Sequence, residues 1–137
     1  MKYFRYALMA LTCSFIFCQD PMEVIKNHEW ISDKKETMAW LAQHRPKLAT
    51  SEKLIDLFGK MIATTNDSEF ISNLDGKITK TLIKILGKTD YEIAIQIKDP
   101  VLNRDIIVLS EFDNDYKGYW VYNSQFDIKE HFIIYVK

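Results

Sequence analysis

Three histidines are the first residues to test for chemistry, because imidazole is a common general base and the commonest metal ligand. His28-Glu29-Trp30-Ile31-Ser32 opens like the helix of a zinc protease, where two histidines four residues apart share a metal and the glutamate between them works on water. Ser32 stands where the second histidine belongs. His44 sits in a His-Arg-Pro that ends a predicted helix, where positive charge complements the helix dipole. His131 follows Glu130 just ahead of the last predicted strand. No two histidines have ligand spacing, and the sequence assigns no catalytic residue, metal or cofactor.

Asp113-Asn114-Asp115-Tyr116-Lys117-Gly118 copies the opening of a calcium loop, with oxygen ligands at the first and third positions and glycine at the sixth. The fifth position is Lys117 and the twelfth is Ser124, so two ligand positions fail. A hairpin turn explains the same Asp, Asn and Gly residues. Asn66-Asp67-Ser68 has the form of a glycosylation sequon and is better explained as a backbone cap. No glycine-rich phosphate loop and no nucleophile elbow occurs.

Two patches could recognise a partner. Tyr116, Tyr119, Trp120, Tyr122 and Phe126 crowd one stretch, with Phe112 before it, Phe132 and Tyr135 after it, and Asp113 and Asp115 beside it. Strand alternation places Tyr116, Trp120 and Tyr122 on one face and Tyr119 and Val121 on the other. One of these faces must pack against the core, and the other is a candidate partner surface of the aromatic kind that anchors interfaces. Lys77, Lys80, Lys84 and Lys88 form a basic stripe at helical spacing, a solvated face that could also meet an acidic partner or an anionic membrane. From Asp90 to Glu130 the balance reverses to nine acids against four bases.

The elements that must position these residues divide the chain in two. Asp20-Pro21-Met22-Glu23 and Asp33-Lys34-Lys35-Glu36 both have the spacing of a capping box, starting helices that run to about Trp30 and to Pro46. Leu54, Ile55, Phe58, Met61 and Ile62 predict a third helix behind a Thr50 or Ser51 cap. Asn66–Leu74 predicts a brief fourth helix. Asp75-Gly76 turns into a fifth that carries the lysine stripe and stops at Gly87, with the β-branched residues of 78–83 leaving a strand open there. After Asp90 the period falls to two: Tyr91, Ile93, Ile95 and Ile97 alternate with polar residues, and strands follow over 106–112, 116–122 and 132–136. The expected fold is α+β, with an N-terminal half of four to five short helices packed on a C-terminal four-stranded antiparallel meander. In order alone, with no shared motif, this is broadly similar to cone-shaped nuclear-transport-factor-like and cystatin-like folds.

Lys2 and Arg5 precede an apolar run that ends at Cys18, the layout of a secretory signal peptide and too short for a membrane span. The expected organisation is a leader over 1–18 and one globular domain over 19–137, exported to a periplasm or beyond. Phe17 and Thr12 argue against lipidation of Cys18 or Cys13. Both cysteines of the chain lie in this leader, so cleavage after Cys18 leaves neither a disulfide nor a thiolate. The 137-residue chain carries a net charge of −1, and loss of the leader leaves 16 basic and 19 acidic residues. Neither state is basic enough to favour nucleic acid. The expected function is a non-catalytic exported protein-binding module, for instance an immunity or inhibitor protein that neutralises a toxin or an envelope hydrolase. The alternatives are a small-ligand carrier or hydrolase, with a pocket between helices and sheet served by His28, His44 or Glu130, and an accessory subunit of an envelope complex.

Overall fold

The computed structural model describes residues 19–99, 103–124 and 127–137. The expected leader and Phe126 lie outside the described residues. The chain forms a closed barrel of eight strands in sequence order, with the last strand returning to pair with the first. The strands are β1 (Trp30–Ser32), β2 (Ile62–Thr65), β3 (Glu69–Leu74), β4 (Lys77–Lys88), β5 (Glu92–Asp99), β6 (Arg104–Phe112), β7 (Gly118–Asn123) and β8 (Ile128–Ile134). Short helices α1 (Pro21–Lys26), α2 (Lys34–His44) and α3 (Glu52–Leu57) accompany them. Every strand pairing is antiparallel.

This corrects the expected α+β layering, and with it the likeness to cone-shaped folds. The predicted helices over 66–74 and 77–86 are strands β3 and β4, and the third helix stops at Leu57, so that Met61 and Ile62 lead into a strand. The decisive local feature is Asp75-Gly76. Both residues have positive φ, 51° and 85°, which is the two-residue turn whose twist suits a hairpin. The basic helix face therefore does not exist. Lys80 and Lys84 point out from β4 beside exposed Ile78 and Leu82, Lys77 begins the strand, and Lys88 at its end pairs with Asp20 at 2.8 Å.

The period-two segments do form strands β5 to β8, and their register carries one inward row around the wall. Ile93 faces Ser110, Ser110 faces Val121, and Val121 faces Glu130. The next row runs Phe112, Tyr119, Phe132 and Ser32. Alternation then fixes the outside: Glu111, Trp120 and His131 form one outward row, and Leu109, Tyr122 and Lys129 another.

One end of the barrel is plugged. Asp20 caps α1 by accepting from the Met22 N–H at 3.0 Å, and Pro21 fills the first turn, where its missing N–H costs nothing. Met22, Val24 and Ile25 of that helix are buried. The Trp30 indole, fully buried, donates to the Ile25 carbonyl at 3.1 Å and meets Tyr119 edge-on with ring centres 4.7 Å apart. Tyr116 locks the same end: it is buried in the β6–β7 turn at φ 57°, and its hydroxyl donates to the Asp90 carbonyl at 2.8 Å.

Helix α2 lies outside against β8 for a definite reason. β1 has only three residues, so the ladder on that side of β8 ends at the Ser32–Phe132 pair. Backbone groups further along would be buried unpaired, which costs roughly 1–3 kcal/mol each. Helix α2 supplies partners: the Thr37 hydroxyl accepts from the His131 N–H at 2.9 Å, and the Asp33 N–H donates to the His131 carbonyl at 2.8 Å. Thr37 is fully buried as a result.

Candidate functional site

Above the aromatic plug the barrel encloses a cavity of about 270 Å³, lined by Ile25, Met61, Phe70, Ile83, Ile95, Ile97, Val108, Val121 and Phe132 among apolar residues. Five polar residues complete the lining: Ser110, Tyr119, Asn123 and Glu130 on the adjacent strands β6 to β8, and Thr65 on β2. Glu130 and Ser110 flank Val121 in one cross-strand row, and Tyr119 is the diagonal neighbour of Glu130 on the same inner face. Ser32, in turn, fixes Glu130: its hydroxyl donates to Glu130 Oε1 at 2.6 Å and accepts from the Gly59 N–H at 3.0 Å. Gly59, where the helical excursion re-enters the barrel, has φ 86°, a conformation glycine takes without strain.

Four polar atoms on the lining are left without a hydrogen-bond partner among the described residues: the second carboxyl oxygen of Glu130 and the hydroxyls of Tyr119, Ser110 and Thr65. Tyr119 and Ser110 are both buried. Burial pushes the Glu130 carboxyl above the usual carboxylate range, opposed by the Ser32 hydrogen bond. Burial likewise pushes the Tyr119 phenol far up, with the neighbouring Glu130 charge adding to it. An apolar cavity with a few convergent polar groups is the usual form of a small-molecule site. Of the residues that the sequence offered to a pocket, Glu130 lines this one, while His28 and His44 do not. The pocket lies inside a barrel, not between helices and a sheet.

The third histidine works elsewhere. His131 is buried on the outer face between two carboxylates, with Nδ1 3.0 Å from Asp33 Oδ2 and Nε2 2.8 Å from Asp113 Oδ2. Each ring nitrogen thus lies within hydrogen-bond distance of one carboxylate oxygen, and the ring bridges Asp33 and Asp113. The arrangement clasps the start of α2 to the β6–β7 turn across the middle of β8. Gly118 is required here, because a Cβ would come within 2.5 Å of Asp113 Oδ2 and 2.7 Å of His131 Nε2. Asp113 is thereby committed to the clasp, and Asp115 accepts from the Lys117 N–H at 3.0 Å. Both residues behave as turn formers. No group of three or more potential metal ligands occurs among the described residues.

The aromatic patch is divided by the barrel wall. Tyr116 and Tyr119 are buried in the core, while Trp120 and Tyr122 point outward. With Leu109, Ala94 and Gly87, these two border an outer groove of about 440 Å³, and Trp40 of α2 stands on the far side of Trp120. The Tyr122 hydroxyl donates to Asp127 at 2.9 Å, and Arg45 binds the same carboxylate at 2.9 Å. The outer groove has the larger volume, and its floor is open sheet. The buried polar atoms without partners lie in the inner cavity.

No protein-family model matches the chain, and comparison with curated proteins and with solved structures returns no match. The site thus rests on its own geometry. Sequence reasoning missed the inner role of Ser110 and Tyr119. The available signal was the parity of Tyr119, Val121 and Phe112 against the neighbouring strands.

Two outcomes follow from this geometry. Gly118→Ala should destabilise the protein by about 1–3 kcal/mol through overpacking against the clasp. Gly87→Ala, with nothing within 4 Å of the added carbon, should stay within about 0.5 kcal/mol, both read from urea unfolding. The second concerns pH. Because the folded value of Glu130 is raised, the native protein holds a proton that the unfolded chain releases in the window just above the ordinary carboxylate range. Stability falls as pH rises through that window. Glu130→Gln, which cannot ionise, should flatten the fall in a series of unfolding curves across pH.

Proposed function

We propose that this protein is a non-catalytic carrier that holds one small, largely apolar molecule inside its barrel. The observation that carries the reading is the cavity of about 270 Å³ with unpartnered Glu130, Tyr119 and Ser110 groups on one side. Eight-stranded barrels have interiors just wide enough to be filled by side chains or to hold one small ligand. Here the aromatic plug fills one end and the space above it stays open. An apolar cavity of about 150 Å³ accepts a benzene, and drug-sized ligands take roughly 300–1,000 Å³, so the occupant is a ring or short chain with a polar end. Unpaired buried polar atoms are unfavourable in an empty barrel, and a ligand that pairs with them recovers that cost. The expected leader would place such a carrier outside the cytoplasm.

Calorimetric titration with 2-phenylethanol tests the reading. Saturable binding and a raised melting temperature are expected. Val108→Phe or Ile97→Phe, each filling the cavity, should abolish both while the variant still melts cooperatively. Absence of binding to the unaltered protein by this alcohol and by its amine and carboxylate analogues would overturn the proposal.

A protein-binding module is the second reading, favoured by the outward Trp120 and Tyr122 in the outer groove. A photoreactive residue at Trp120 should then give a specific protein adduct in cells, with the buried Tyr119 position as the silent control. Silence at both positions would overturn this second reading.

A further inference from the structure

Resting on the carrier reading, we propose that the ligand is an amine: a protonated ammonium on a compact apolar body, held by Glu130, Tyr119 and Ser110. Glu130 is an acid with no Lys, Arg or His among the residues that line the cavity. Its sequence neighbour Lys129 faces the outside, where its ammonium lies 3.7 Å from Glu111. The field inside is therefore that of one carboxyl group in a low-dielectric wall. A ligand carboxylate would meet this field with nothing to offset it, whereas a cation supplies the missing opposite charge.

The hydrogen-bonding inventory agrees. An ammonium has three donors and no acceptor. Of the lining groups able to accept, three without a partner among the described residues stand together on adjacent strands β6, β7 and β8: the free Glu130 oxygen, the Tyr119 phenol and the Ser110 hydroxyl; the Thr65 hydroxyl stands apart on β2. Ser32 holds the other Glu130 oxygen at 2.6 Å, so the carboxyl is pre-oriented before any ligand arrives. The Tyr119 and Phe132 rings, stacked with centres 5.4 Å apart, line the same cavity and add aromatic faces that attract a cation. Beyond them Ile83, Ile95 and Ile97 accommodate the apolar body.

The test is calorimetric titration of the unaltered protein with 2-phenylethylamine, 2-phenylethanol and 3-phenylpropionate, three probes of similar shape and different charge. The amine is expected to bind about ten- to hundredfold more tightly than the alcohol, as a charge-assisted hydrogen bond provides, and the acid not at all. Glu130→Gln should bring the amine down to the level that the alcohol shows on the same variant. Ser110→Ala, which keeps the carboxylate, should weaken the amine by a smaller factor. An alcohol that equals or exceeds the amine, or an amine indifferent to Glu130→Gln, overturns the amine proposal while the carrier reading stands. Failure of all three probes to bind overturns both. The comparison among probes on the unaltered protein decides the matter even where a variant fails to fold.

Discussion

Closure of the barrel depends on a seam that is too short. A sheet of this kind removes its edges only if the last strand meets the first along its length, and β1 offers three residues to the seven of β8. The missing ladder is rebuilt from other groups. Asp33 and Thr37 of α2 take the backbone polar groups of His131, and Ser32 ties the returning chain at Gly59 to Glu130. Helix α2 is thus the ninth stave of the wall in a functional sense: without it, the outer half of β8 would be an exposed edge. The Asp33–His131–Asp113 clasp then holds that stave in place. A glycine at 118 is the steric condition for the clasp.

Much of this order is written locally, and some of it only in space. Asp20 and Asp33 announced α1 and α2, because an N-cap needs nothing beyond its own helix. The alternation of Ile93, Ile95 and Ile97 announced β5, because one face of that strand is buried and the other is wet. Between Leu54 and Leu86 the signal fails for a physical reason. Strand β4 leaves Ile78, Leu82 and Leu86 exposed while Ile83 and Ile85 pack inward, so both faces are apolar and period two is erased. Four lysines at spacings of three and four then imitate a helix. The Leu54-to-Ile62 pattern likewise runs across α3, a left-handed glycine and the start of β2. Asp75-Gly76 was the corrective signal, since that pair at a type I′ turn favours a hairpin over a helix start.

The site was legible in parity but not in assembly. Tyr119 and Trp120 must lie on opposite faces of a strand. Which of them faces a cavity depends on closure, and closure depends on a seam joining residues near 30 to residues near 130. The same is true of the clasp: Asp33 and His131 stand 98 residues apart in the chain. Tyr116 shows the limit from the other side. It belongs to the turn at positive φ, not to the strand, so alternation counted from it assigns it outward although it is buried.

One serine joins folding and recognition. Ser32 is the last residue of β1, and its hydroxyl is fixed from one side by the Gly59 N–H and points on the other to Glu130. The hydrogen bond that completes the seam therefore also orients the carboxyl group. Burial works in the opposite direction, favouring the neutral acid in an empty barrel. These two influences leave Glu130 held in position yet electrostatically incomplete. A core built for stability alone would fill this position with an apolar side chain, as Val121 does in the same row and Val108 and Ile95 do in the next. Here a buried acid, a phenol and a serine hydroxyl stand instead beside an unfilled volume.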